Sequence, residues 1–123
     1  MKRDMELVRD ILTRVELQNG PIRAPVEIEG YTQEVIDYHI ILLAEAGLLK
    51  ATWRKAMDGS KIIVNVSRLT WDGHEFLDAA RNESAWNAAK EVAKEKGVQL
   101  PFKIFHSLLE KIVETTVMSG TLS

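Results

Sequence analysis

The sequence predicts an α+β fold in which helices support a single β-hairpin and two further helices follow. Three observations lead to this fold class. Before residue 47, apolar residues recur every three or four positions, as on the buried face of an amphipathic helix. Two β-like runs, at about 49–56 and 61–68, flank an Asp-Gly turn. From residue 70 onward the apolar spacing is again helical.

The first two helices are predicted at residues 3–17 and 32–46. Asn19-Gly20-Pro21 ends the first, because glycine adopts the left-handed cap conformation and proline cannot continue a helix. Thr32 is the predicted N-cap of the second, and Gly47 its predicted C-terminal cap. Between the two helices, the alternation in residues 26–30 predicts a short strand.

The hairpin is predicted from a period of two on both sides of Asp58-Gly59. Asp-Gly favours a type I′ turn, which requires positive φ at both central residues. In the second strand, Ile62, Val64 and Val66 are predicted to share one face.

Three more helices complete the prediction. Thr70 caps one that ends near residues 81–82, and a second runs from Ser84 to about Lys96, where Gly97 ends it. Pro101 opens the last helix, and residues 119–123 are expected to fray. We therefore expect a domain at residues 1–82 and a two-helix extension at residues 83–123.

Composition excludes several classes of protein. The 123 residues include no cysteine, which excludes disulfides, a cysteine nucleophile and a thiolate zinc site. The N-terminal sequence lacks the apolar run of a signal peptide, and no stretch is apolar enough to span a membrane, so we expect a cytoplasmic protein without a membrane partner. The net charge of −2 means that any DNA-binding surface must be a local basic patch.

No residue pattern points to catalysis. His39, His74 and His106 fall in three different predicted helices, without metal-ligand spacing, and no glycine-rich loop could hold a phosphate. We expect no enzyme activity, no catalytic residue, no metal and no cofactor. The three tryptophans, Trp53, Trp71 and Trp86, are expected mainly as core or interface anchors.

A helix that runs through Ala-Gly-Leu into a hairpin is the arrangement of a winged helix-turn-helix domain. The segments 42–49 and 69–77 resemble those of small bacterial winged-helix regulators. Over nearly its full length the chain resembles a family of uncharacterised bacterial and prophage proteins, a domain of unknown function. The segments that resemble this family are Met1–Leu12, Ile28–Tyr31, Tyr38-His39, Leu69–Arg81 and Leu100–Phe102. This resemblance implies a mobile-element context and no established activity.

Two functions remain open at this stage. The first is binding of double-stranded DNA, through Arg54, Lys55, Lys61 and Arg68 of the wing and through Gln33, Tyr38 and His39 of the presented helix. The presented helix contains no Lys or Arg, and a separate second helix of the helix-turn-helix is missing from the pattern, which weakens standard major-groove docking.

The second is a protein-interaction module without DNA binding. The last helix carries a wide apolar stripe, and its predicted dimer-interface residues are Phe102, Phe105, Leu109 and Ile112. This stripe either packs within the chain, on the first helix, or forms the seam of a homodimer.

Overall fold

The computed structural model describes residues 1–96 and 101–118, and these residues form five helices and one two-stranded antiparallel sheet. In chain order the elements are α1 (Met5–Leu17), α2 (Gln33–Glu45), β1 (Leu49–Lys55), β2 (Lys61–Leu69), α3 (Trp71–Ala80), α4 (Glu83–Glu95) and α5 (Phe102–Met118). The predicted α+β class is confirmed. The predictions at Gly97 and at residues 119–123 lie outside the described residues.

Contacts among the described residues form two compact units, divided inside α3. The first unit is residues 1–75, where α1 packs against α2 and β2, and α2 packs against both strands. The second unit comprises the described residues from Phe76 onward, where α4 packs against α5. Within the described ranges, no helix has both the length and the apolar composition needed to cross a membrane.

The caps of α1 and α2 explain where these helices begin and end. The Asp4 carboxylate accepts hydrogen bonds from the amides of Glu6 and Leu7, and the Thr32 hydroxyl accepts one from Val35. Each bond satisfies an amide that lacks a partner within the helix.

The end of α2 is a Schellman motif. Gly47 has a φ of 78°, its amide donates to Ala44 at 3.1 Å, and the Leu48 amide donates to Leu43 at 2.9 Å. Gly47 thus reverses the chain, so that β1 starts two residues later. The predicted glycine cap is confirmed.

The predicted strand at residues 26–30 is wrong. Sheet pairing in this region is confined to Ile22, whose backbone exchanges hydrogen bonds of 2.8 and 2.9 Å with Val66 of β2. Val26 is buried without strand pairing. The alternating pattern at residues 26–30 therefore reflects side-chain burial, while the backbone contact lies four residues earlier.

The hairpin turn differs from the predicted type I′ turn, because Asp58 does not have a positive φ. Only Gly59 of this loop does, at 88°. The Gly59 amide donates to Ala56 at 3.0 Å, and the Ala56 amide donates to Ser60 at 2.7 Å. These bonds define a three-residue loop with its last residue in the left-handed region, the second common way to close a hairpin.

Two irregularities in β2 alter its face assignment. The register shifts between Lys50 and Ala51 and again between Thr52 and Trp53, so β2 carries an extra residue at each point. As a result Val66 is buried while Ile62 and Val64 are exposed, and these three residues do not share the predicted face.

Candidate nucleic-acid interface

The outer face of the hairpin carries Lys50, Arg54 and Arg68, with the exposed side chain of Ile62 beside Arg54. Along β1, Leu49, Ala51 and Trp53 point towards the core, whereas Lys50, Thr52 and Arg54 are exposed. Lys50 pairs with Arg68 across the sheet, and Lys55 pairs with Lys61 at the tip. Cross-strand partners project to the same side, so the hairpin presents one basic pair at each end.

The charge of the hairpin is strongly one-sided. Residues 49–69 contain one acid, Asp58, and five basic residues, which are Lys50, Arg54, Lys55, Lys61 and Arg68. All five basic residues are exposed. Within the part of the chain that the structure describes, none of the five forms an ion pair. The predicted wing cations are thus available to an anionic partner.

Lys50 was missed by sequence reasoning. Lys50 lies three residues after Gly47, and in the sequence it resembles any solvent-exposed residue at the start of a strand. The signal that could have identified it is its pairing with Arg68, which depends on the register of the hairpin. Two strand irregularities set that register, and neither is visible in the alternation of the sequence.

Asp58 is tied into the loop at the hairpin tip. Its carboxylate accepts hydrogen bonds from the Ser60 hydroxyl at 2.6 Å and the Ser60 amide at 2.9 Å. These two bonds lower the pKa of Asp58, because they favour the charged form. The loop carboxylate therefore remains ionised and fixes the loop conformation.

Helix α2 is acidic and offers few groups to DNA. Glu34, Asp37 and Glu45 are its charged residues, and it contains no Lys or Arg. Both amide donors of Gln33 are used, one by the Val26 carbonyl at 2.9 Å and one by Asp37 at 2.8 Å. Gln33 is half-buried, and its hydrogen bond to Val26 connects α2 to the loop before it, so its role as a DNA contact stays a prediction.

A groove of about 370 Å³ separates α2 from the hairpin tip. Glu34 and Asp37 line one wall together with Tyr38, and Lys61 lines the other. Tyr38, a predicted DNA contact, is half-buried in this wall. Two carboxylates facing one lysine make the groove unfavourable for a phosphate chain.

His39 does not face solvent, so its prediction as a DNA contact is wrong. The side chain is 0% exposed. Its Nδ1 lies 2.9 Å from the Val35 carbonyl oxygen, and its Nε2 accepts a hydrogen bond from the Asp4 amide at 2.8 Å. The neutral ring with its proton on Nδ1 satisfies both bonds. His39 therefore fastens the start of α1 to α2.

Asp4 also receives a hydrogen bond from the Tyr31 hydroxyl, at 3.1 Å. Burial and the Asp4 carboxylate both raise the pKa of Tyr31. Asp4, Tyr31 and His39 thus form a structural cluster. Among the described residues, no three His, Asp or Glu side chains are arranged to hold a metal ion.

Tyr31→Phe is expected to lower the free energy of unfolding by about 1 kcal/mol at neutral pH, because it removes one hydrogen bond. The raised pKa means that the folded state favours the neutral phenol. The stabilisation that the Tyr31 hydroxyl gives is therefore complete below its ordinary pKa of 10.0, and it is lost as the pH rises through the raised pKa of the folded state. Urea denaturation at several pH values measures this difference. Tyr38→Phe is the control, since that hydroxyl has no hydrogen bond among the described residues; equal losses for both variants would contradict the assignment.

The tryptophans behave differently from one another. Trp86 is fully buried, and its ring centroid lies 5.3 Å from that of Phe105 and 6.4 Å from that of Phe76. It is therefore a core anchor, as predicted. Trp53 is half-buried on the inner face of β1. Trp71 is 77% exposed, so it is not a core anchor, and its role as an interface anchor stays a prediction.

The predicted dimer seam on α5 is largely occupied within the chain. Phe105 and Leu109 are buried, and Phe105 packs edge-on against Trp86 of α4. These two residues are corrected from interface to intrachain packing. Phe102 and Ile112 are half-buried, and Phe102 lies 4.9 Å from Phe76 between ring centroids.

Comparisons with known proteins give a family without an assigned activity. Residues 2–99 match the family described as "Hypothetical protein (DUF2513)". An uncharacterised protein of Haemophilus influenzae is 33% identical over 115 residues, which cover 92% of this chain and 96% of that protein. No solved structure matches the chain.

Proposed function

We propose a function for this chain, which belongs to the DUF2513 family of hypothetical proteins: it binds duplex DNA as a winged-helix-like regulatory protein of a prophage or other mobile element. The hairpin, rather than α2, makes the main contact. The observation that carries this proposal is the charge of the hairpin, where five exposed basic residues accompany a single acid.

The order of the elements supports a winged-helix relationship. Helix α1, the paired residue Ile22, helix α2 and the hairpin follow the order of that fold, apart from one helix that is missing before α2. On this proposal, Ile22 takes the place of the first strand, because its backbone pairs with Val66 of β2. Between residues 18 and 32, all of which the structure describes, there is no helix. The domain would therefore lack the second helix that normally crosses the DNA backbone.

Electrostatics favour the hairpin over α2 as the contact. Each phosphate that a cation neutralises releases counterions, so binding by about four hairpin cations gives a slope of log K against log salt of about −3 to −4. The carboxylates of α2 oppose such contacts. The proposal therefore predicts binding that depends strongly on salt and weakly on sequence.

Fluorescence anisotropy with a short blunt-ended duplex tests the proposal. Wild-type affinity should fall about a hundredfold between about 50 and 200 mM salt. The double variant Arg54→Glu with Lys55→Glu should bind at least about tenfold more weakly, with a slope smaller by about 2.

The matched control is Lys94→Glu with Lys103→Glu, two exposed lysines outside the hairpin. It changes the net charge by the same amount and should retain binding. The proposal fails if folded wild-type protein does not bind at low salt, or if the control weakens binding as much as the hairpin variant.

A protein-interaction module without DNA binding is the second candidate. The acidic residues of α2 and of the adjoining groove favour it, since Glu34 and Asp37 suit a basic peptide better than a phosphate. The same titration separates the two candidates. A folded protein that does not bind duplex DNA at low salt excludes the first candidate and leaves the interaction module.

A further inference from the structure

Trp71, the first residue of α3, exposes a large aromatic surface beside the hairpin. Its exposed fraction of 77% is high for a tryptophan, a residue type that is usually well buried. The nearby backbone is firmly fixed. The Thr70 hydroxyl donates to the Gly47 carbonyl at 2.5 Å and accepts from the Gly73 amide at 3.1 Å, and the Thr70 amide donates to Leu48 at 3.0 Å.

A fixed backbone with an exposed ring is suited to binding, because little further order is lost when a partner covers the ring. Basic side chains lie close by. Arg68 precedes Trp71 by three residues and donates from its guanidinium to the Leu69 carbonyl at 3.0 Å, which holds its charge near the start of α3. Lys50 is paired with Arg68 across the sheet.

Nucleic acid is the partner that best fits an exposed indole beside two cations. Cations bind phosphates, and an indole face stacks on a base with little regard to its identity. Two acids of α3 near Trp71 are also exposed: at about 100° per residue Asp72 projects from a different side of the helix, whereas Glu75, one turn further on, lies on the same side as Trp71. Inside a duplex both faces of each base are covered by neighbouring base pairs, so free faces are confined to the terminal pairs of a blunt end and to unpaired bases, of which an unpaired base beside the duplex is the more accessible.

We propose that Trp71, with Lys50 and Arg68, recognises the junction between duplex and single-stranded DNA, the indole stacking on the first unpaired base while the hairpin binds the duplex phosphates. This inference rests on the proposed duplex binding. It adds a specific DNA structure as the preferred ligand.

Binding to a blunt duplex and to the same duplex with a short single-stranded overhang tests the inference. Wild-type protein should prefer the overhang roughly fivefold to a hundredfold, the range found for stacking of one base. Trp71→Ala should abolish that preference and leave the affinity and salt slope for the blunt duplex unchanged. Trp71→Phe should restore part of the preference, because a smaller ring can still stack.

The matched variant Lys50→Ala with Arg68→Ala should weaken binding to both ligands and reduce the salt slope by about 2. A wild-type protein that binds both ligands equally, or a Trp71→Ala variant that keeps the preference, overturns the inference while duplex binding stands. An absence of all binding at low salt instead rejects the proposed function itself.

Discussion

Gly73→Ala is expected to lower the free energy of unfolding by about 3 kcal/mol, a cost of overpacking a tightly packed site. Gly73 is buried in the first turn of α3, directly against the backbone of Leu48. A Cβ at this position would lie far inside contact distance of the Leu48 carbonyl oxygen and also against its carbonyl carbon. Because those are backbone atoms, no side-chain rotation can relieve the overlap.

The expected sign is opposite to that of helix propensity. In an open helix, replacing glycine by alanine stabilises by about 1 kcal/mol, because alanine loses less backbone entropy. Urea denaturation followed by circular dichroism measures the difference. Glu75→Ala, an exposed change on the same helix, should stay within about 0.5 kcal/mol of wild type. A Gly73→Ala protein as stable as wild type would show that α3 does not approach the Leu48 backbone this closely.

The close approach at Gly73 also bears on the proposed functions. It lets α3 begin beside the base of the hairpin, where Thr70 bonds to Gly47 and Leu48. If α3 moved, Trp71 would move relative to Arg68. Gly73→Ala should therefore reduce any overhang preference even under conditions where the protein remains folded.

Local chemistry made the helices and the hairpin predictable from the sequence. Thr32, Gly47 and Thr70 act as caps at the predicted positions, because a cap depends on one side chain or one backbone angle within a few residues. The Asp-Gly pair correctly marked the hairpin loop. Membership of an uncharacterised family, inferred from short segments along the chain, is confirmed as well.

Features that depend on distant contacts were not predictable in the same way. The faces of β2 follow from two extra residues that only the paired strand reveals. The turn is a local feature, and its type was mispredicted because a glycine in a hairpin loop suits both a two-residue type I′ turn and a three-residue loop. His39 is polar and lies in the middle of α2, and the sequence offered it as a possible DNA contact. Its burial depends on Asp4, 35 residues away.

Phe105→Ala is expected to lower the free energy of unfolding by about 3 to 5 kcal/mol, the usual cost of removing a buried phenyl ring. Phe105 is 4% exposed, and its ring meets Trp86 edge-on at 5.3 Å between centroids. Edge-on aromatic pairs add about 0.5 to 1.5 kcal/mol beyond the area they bury. Thermal or urea denaturation should therefore show a large loss for a single substitution on α5.

The adjacent residue Ile104 provides the control, because it is 54% exposed on the same helix. Ile104→Ala should change stability by less than about 1 kcal/mol.

The pair of variants also distinguishes intrachain packing from a dimer seam. With intrachain packing, the loss in Phe105→Ala is the same at every protein concentration, whereas loss of a seam would appear as weaker association and a concentration-dependent midpoint. Light scattering, which measures the oligomeric state, together with the denaturation curves distinguishes the two arrangements. A Phe105→Ala protein that dissociates into monomers of unchanged stability would contradict the packing of Phe105 on Trp86.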